Sequence, residues 1–277
     1  MPTDHSCPSR PDPRPKRTPV TDFLDARALR SSMLGGLWRE VEVVASTGST
    51  NADLADAARA GRPPGAVLAT GDQRAGRGRL ARRWGAPADT SFACSVLVAP
   101  RRTMEDWGML PLLVGMAVTD GVRAAAGLDA GLKWPNDVLV GDKKLCGILC
   151  ESVIDIDPPC AVLGFGLNVA LTVEQLPVPT ATSVRLEGSD ASATSILAAS
   201  LIALERWFVL WDGGGDLIAA YRERCGTLGR DVTVHLAGAA DVTGRAVDVD
   251  AGGGIVVATP AGRRTFVAGD VEHLRRA

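Results

Sequence analysis

Lysine is the residue this chain most lacks: Lys16, Lys133, Lys143 and Lys144 stand against twenty-six arginines. Three of those four fall within twelve residues, so a specific use for that stretch is expected. Histidine is scarce as well. His5, His235 and His273 lie near the two ends of the chain, which argues against a histidine base. Positive charge is not in surplus: 30 basic and 32 acidic residues leave a net charge of −2, whereas a general nucleic-acid binder carries a basic excess. The six cysteines (7, 94, 146, 150, 160, 225) include no zinc-like C-x₂-C pair. Most sit in apolar strand patterns, where a free thiol packs as a small hydrophobe, as expected of a reducing, cytoplasmic setting. Membrane-length apolar runs are missing too, the longest (110–118) being interrupted by Pro111 and Gly115. The proline-rich N-terminus has no apolar centre of a signal peptide, and residues 1–20 are expected to form a disordered tail.

What remains is an ordinary globular composition, 46% hydrophobic and 22% charged over 277 residues. That length holds one large domain and a small one. Apolar spacing predicts a helix over 21–35, a strand over 38–44 and a helix after Ser49-Thr50-Asn51, with Thr50 and Asp53 as a capping box and Gly61 as its stop. Strands follow at 66–70 and 91–98, then a helix over 106–126 with Pro111 in its first turns. Further strands are expected near 131–134, 137–140, 144–151 and 160–166, with Gly141-Asp142 as a hairpin turn. Two helices are expected over 192–211 and 215–225. After Gly226 short strands separated by glycine turns predict a small β-barrel.

Chemistry concentrates in four segments. Gly76-Arg77-Gly78-Arg79-Leu80-Ala81-Arg82-Arg83-Trp84 lies between two buried strands. Glycine lets backbone N–H groups approach a ligand, and arginine presents a forked donor to phosphate or carboxylate, so this loop is built to grip an anion and fold over it. Lys133-Trp134-Pro135-Asn136-Asp137-Val138 comes fifty residues later, then Lys144-Leu145-Cys146-Gly147-Ile148-Leu149, then Gly164-Phe165-Gly166-Leu167-Asn168-Val169. The last lacks the third glycine and following acid of a dinucleotide fingerprint. Upstream, Ser49, Thr50, Asn51 and Gln73 are short neutral groups of both polarities, suited to an uncharged polar ligand head.

In order and spacing, these segments closely resemble biotin protein ligases, strongly over 41–169 and more loosely to the C-terminus. The resemblance implies an α+β fold: a mixed-sheet catalytic domain packed with helices, of the class II aminoacyl-tRNA synthetase and biotin ligase kind, over 21–225, then an SH3-like barrel over 226–277. It implies an enzyme that joins biotin and ATP into biotinyl-AMP and passes biotin to a lysine of a carboxylase's biotin carboxyl carrier domain. Carried over residue by residue, Lys144, Arg79 and Asp137 are the catalytic candidates. Biotin falls to Ser49, Thr50, Asn51, Gln73, Arg77, Gly78, Arg79, Lys144 and Gly147. The adenylate falls to Arg77, Arg79, Arg82, Trp84, Asn136, Lys144 and Asn168, and magnesium to Asp137.

Structural readings stand beside these: Thr50 as a helix cap, Gly147 as a bulge, Trp84 as buried packing, Trp134 as a wall of the pocket, Asn168 as a stay on a chain reversal. Leu80-Ala81 departs from the family pattern, where a basic residue and glycine stand. With some twenty residues before the first expected helix, the DNA-reading module of some bacterial members is expected to be missing. The rivals are a lipoate-handling relative and a nucleic-acid-binding regulator. A monomer or a weak dimer, bound to neither DNA nor membrane, fits the sequence.

Overall fold

The computed structural model describes residues 23–33, 36–79, 82–236 and 238–274. The expected tail over 1–20 and the Leu80-Ala81 departure lie outside the described residues. In chain order the elements are α1 (Ala26–Met33), β1 (Glu40–Val44), α2 (Thr50–Arg59), β2 (Ala66–Thr70), β3 (Gly76–Arg77), β4 (Arg83–Trp84) and β5 (Ser91–Val98). Next come α3 (Leu110–Ala126), β6 (Ala130–Lys133), β7 (Asp137–Val140), β8 (Lys143–Val153), β9 (Cys160–Asn168), α4 (Ala193–Asp212) and α5 (Ile218–Arg224). Five strands close the chain: β10 (Asp231–His235), β11 (Val242–Val249), β12 (Ile255–Thr259), β13 (Gly262–Phe266) and β14 (Asp270–His273).

Seven strands form one mixed sheet in the order β1-β2-β5-β9-β8-β7-β6, in which only β1 and β2 run parallel. Side chains alternate across a strand, so each strand feeds two faces. On β5, Phe92, Cys94, Val96 and Val98 join the main core; on β9, Ala161, Leu163, Phe165 and Leu167 do the same. α3 and α1 cover that face, and α4 packs on both of them. The opposite face receives Ser91, Ala93, Ser95 and Leu97 from β5, and Cys160, Val162, Gly164, Gly166 and Asn168 from β9. At one end it is apolar, with Leu97, Val162 and Cys160 packing under Leu54 and Ala58 of α2. At the other end glycine and serine replace bulk, and the sheet floor is left open to a ligand.

The sequence foresaw no span of membrane length, yet Met104–Ala126 and Ala193–Asp212 are long and apolar enough by length and composition. Their hydropathy is that of core helices packed on one another: eleven residues of α3 are buried, from Leu110 to Val122. Pro111 sits in the first turn of α3, and the expected start at 106 is instead a 3₁₀ turn over Met104–Met109.

The second sheet is antiparallel, in the order β13-β12-β11-β10-β14, as the SH3-like expectation requires. It is stapled to the first through Trp134. That side chain is 1% exposed, and its Nε1–H donates to the Gly253 carbonyl (2.9 Å) while its backbone N–H donates to Thr227 Oγ1 (3.0 Å). Trp134 is therefore a strut between the sheets as well as the expected pocket wall.

Candidate active site

The open floor of the first sheet underlies a cavity of about 350 Å³. Ser49, Thr50, Asn51, Gln73, Arg77, Gly78, Arg79, Arg82, Trp84, Asn136, Asp137, Lys144 and Gly147 all line it, so every sequence-derived site residue but one meets there. The exception is Asn168. It is 4% exposed, and its amide is spent on the fold, accepting from Ser91 Oγ (3.0 Å) and donating to the Thr182 carbonyl (2.9 Å).

One end of the cavity is a chain of neutral hydrogen bonds. Ser49, not Thr50, caps α2: its side chain accepts from the Ala52 N–H. The expected pairing of Thr50 with Asp53 is replaced, because Asp53 takes a hydrogen bond from the Thr47 hydroxyl. Freed from capping, Thr50 donates through its backbone N–H to Gln73 Oε1 (2.9 Å). Since that oxygen is taken by a certain donor, the Gln73 amide is oriented with Nε2 left to donate elsewhere. Asn51 is oriented likewise. Its Nδ2 donates to the Leu149 carbonyl (3.0 Å) and to Glu151 Oε2 (2.7 Å), while its Oδ1 accepts from the Ser95 hydroxyl (2.6 Å). Ser95, fully buried on β5, also lies 2.7 Å from Thr50 Oγ1. Glycine is required beneath: a β-carbon at Gly164 would overlap Asn51 Oδ1.

The middle of the floor is Gly147 of β8 opposite Gly166 of β9, with the Trp84 indole laid across them. A β-carbon at Gly166 would stand about 2.4 Å from the indole nitrogen, and one at Gly147 would be 3.0 Å from the same ring. Trp84 reaches this place because β3 and β4 pair into a small hairpin, Gly76 opposite Trp84 and Arg77 opposite Arg83. The segment expected as a plain loop is thus rooted in structure at both ends.

The other end is charged. Lys144 is pinned by its own backbone, N–H to the Thr180 carbonyl (2.7 Å) and C=O from the Thr182 N–H (2.9 Å). Its ammonium lies 2.6 Å from Asp137 Oδ1 and 6.0 Å from the Trp84 ring centroid. Arg79 Nη1 donates to Asn136 Oδ1 (3.4 Å), and Asn136 Nδ2 donates to the Ile148 carbonyl (2.8 Å). Among the described residues no three His, Cys, Asp or Glu side chains gather as a metal cluster.

The second sheet also reaches the cavity, through His235, Asp270, Val271 and Glu272. Asp270 is the partner of Arg82. His235, against expectation, lines the site. Its hydrogen bonds to Asp241 and then Glu272 raise its pKa. Nothing in the sequence marked these residues, nor Ser95 and Glu151: each meets the site only through pairings distant in the chain.

Neutral amides at one end, fixed and loop-borne cations at the other, suit an enzyme that binds an acid by an uncharged head and activates its carboxylate. Comparison with known proteins agrees with that class. Residues 43–168 match the biotin/lipoate A/B protein ligase family and residues 227–274 the biotin protein ligase C-terminal domain. The biotin--[acetyl-CoA-carboxylase] ligase of Mycobacterium tuberculosis is 42% identical over 263 residues, covering 91% of this chain and 96% of that one. A protein of the same name from Paracoccus denitrificans is 32% identical, covering 83% of this chain and 98% of its own. In fold, the biotin protein ligase of Aquifex aeolicus solved with biotin and ATP superposes with a TM-score of 0.72 at 23% identity, over 86% of this chain and all of that one. The chain belongs to the biotin protein ligase family.

Proposed function

We infer that this chain activates biotin with ATP and transfers it to a lysine of a carboxylase's biotin carboxyl carrier domain. A biotin carboxylate oxygen attacks the α-phosphorus of ATP, the bond to pyrophosphate breaks, and biotinyl-AMP results. The carrier's lysine nitrogen then attacks the acyl carbon, AMP leaves, and the amine gives up a proton. The obstacle in the first step is the meeting of an anion with a polyanion, which cations fixed in place relieve as charge builds on the reacting oxygens. The observation that carries the reading is the Lys144 ammonium, braced against Asp137 and facing the same cavity as Arg79 and the amide-lined end.

At that end Gln73 Nε2 is left to donate to the ureido carbonyl, and Ser49 Oγ supplies a neutral partner beside it. These partners favour biotin over lipoate, whose ring has no ureido group to use them. Arg77, Arg79 and Arg82 lie on the cover that holds the adenylate away from water. Trp84 provides an aromatic face for the ligand, and Gly147 keeps the floor clear beneath it. Asn168 acts at one remove, by holding β9 to the segment at Thr182.

Magnesium would enter with the nucleotide. Asp137 is already engaged by Lys144, so this carboxylate suits a water-linked contact to an ion held by phosphate oxygens. Such an ion would offset phosphate charge. Asp137, which lines the cavity beside Lys144, is the carboxylate that would receive the amine's proton in the second step. Thiols on the buried strands, Cys94 and Cys146 among them, have pKa values raised by burial and suit a reducing cytoplasm.

The test is incubation with biotin, ATP, magnesium and a carrier domain, followed by intact-mass measurement of that domain. Addition of one biotinyl group, unaffected by excess lipoate, is expected. An unmodified carrier, or labelling by lipoate instead, would overturn the reading.

A further inference from the structure

Glu151 is a carboxylate in an unpromising place. It lies on the site face of β8, next to the apolar patch that packs under α2 and beyond the residues that line the cavity. In the ladder its neighbour is Val162. A half-buried carboxylate among such residues is costly unless hydrogen-bonded donors surround it. Two do. Asn51 Nδ2 donates to Oε2 at 2.7 Å, and Arg77 Nη2 lies 3.2 Å from both carboxylate oxygens.

Those donors come from the two parts of the site that must act together. Asn51 belongs to the first turn of α2 and to the neutral end of the cavity. Arg77 is the last residue of β3, where the covering loop leaves the hairpin. We propose that Glu151 is a positioning residue that joins the ligand-head end of the cavity to the root of the covering loop, so that filling the one holds down the other. This rests on the biotin ligase reading above. The pair adds little to global stability, because Arg77 is half exposed and such pairs are weak. Its value is directional: it fixes where the Arg77 guanidinium, and hence the start of the loop, stands relative to Asn51. The residue just before the far strand of the hairpin has its own anchor, Arg82 on Asp270. Loss of Glu151 therefore frees one root of the cover and leaves the other.

The experiment compares the full chain with Glu151→Gln, Glu151→Asp, Arg77→Ala and the Arg77→Ala/Glu151→Gln double variant. Each is supplied with biotin, ATP and magnesium without carrier, and biotinyl-AMP is measured in filtrate freed of protein. Glu151→Gln is expected to release biotinyl-AMP about fivefold faster, the most that a half-exposed ion pair commands, with a raised KM for biotin. Pyrophosphate exchange at saturating substrates should fall less than about threefold, since the reacting groups are untouched. Glu151→Asp should recover most of the retention. The double variant should leak no faster than Arg77→Ala, because both changes cut the same link. Parent-like retention by Glu151→Gln, leakage from Glu151→Asp equal to that from Glu151→Gln, or multiplied effects in the double variant would each overturn the proposal. A parent chain that makes no biotinyl-AMP would instead overturn the ligase reading.

Discussion

The Lys144 ammonium and the Asp137 carboxylate are held 2.6 Å apart on adjacent strands, β8 and β7, where a bulge between Val138 and Leu139 shifts the register. The bulge brings Lys144 opposite Leu139 instead of opposite Val140, and both partners then face the cavity. An ammonium so mounted needs no reorganisation when charge develops nearby. Replacing Lys144 with alanine is therefore expected to lower biotin-dependent pyrophosphate exchange by about 10²- to 10³-fold, the usual loss for a preorganised charge. The chain should stay folded, since neither residue lies in the apolar core. Exchange within tenfold of the parent would place the essential charge elsewhere.

Arg79 is held differently, its guanidinium by one long hydrogen bond to Asn136. A contact of that kind makes and breaks, as a cover must. Arg79→Gly is expected to keep measurable activation while losing biotinyl-AMP to solvent, seen as labelling of bystander lysines in a mixture of unrelated proteins. Labelling confined to the carrier domain would contradict this role.

Much of this site was legible in the sequence, and for a physical reason. β2 and β5 are largely apolar runs, β2 set between Gly65 and Gly71 and β5 followed by Pro100, and the structure has them at 66–70 and 91–98 as expected. Gly147 was legible as a place that a side chain would block, whereas Gly164 and Gly166 were read only as failing a dinucleotide fingerprint, and their clearance beneath Asn51 and Trp84 shows only in the fold. Contacts made by ordinary residues across the chain were not legible. Ser95 reads as one polar residue in a strand, Glu151 as a strand edge, and Asp270 as part of an indistinct charged tail. β14 and the two-residue strands β3 and β4 escaped because their patterns are too short to show a period. The α2 cap was misread by one residue, Thr50 for Ser49, since both can cap and only the backbone at Ser49 is extended.

The glycine floor makes its own prediction. At Gly166 a β-carbon would meet Trp84 at about 2.4 Å, closer than any ring can tolerate, whereas backbone φ there is ordinary for any residue. The strand should accept alanine and the indole should move. Gly166→Ala is expected to raise the KM for biotin by at least about tenfold, a loss in the range of an overpacked contact, with a melting temperature near that of the parent. An unchanged KM would show that the ligand does not depend on where Trp84 lies.

Trp134 tests the joint between the sheets. Phenylalanine keeps an aromatic ring in the buried site but removes the Nε1–H that donates to the Gly253 carbonyl. Leaving that carbonyl unpaired, along with the smaller ring, is expected to cost about 1–3 kcal/mol. Amide exchange should speed up first in residues 250–254, where Asp250 Oδ1 organises the turn through the Gly252 and Gly254 N–H groups. Uniform faster exchange over the whole chain would mean that the joint is not a local one.

His273 sets the acid limit of that same region. Burial, reinforced by the positive charges of Lys133 and Arg230, lowers its pKa from 6.5 to about 4, while Thr227 Oγ1 lies 3.0 Å from its Nε2. A depressed histidine pKa means that the unfolded chain binds the proton more readily than the folded one. Stability is thus unaffected above about pH 6.5, falls as pH drops from 6.5 towards 4, and levels off once both states are protonated. His235 has the opposite sign: its pKa is raised, so its contribution is full below 6.5 and is lost as pH climbs through the folded value. Replacing His273 with glutamine keeps a polar partner near Thr227 and removes the proton site. Melting temperatures of the parent should fall between neutral pH and pH 4 more steeply than those of His273→Gln, and parallel curves would show that His273 is not the group responsible.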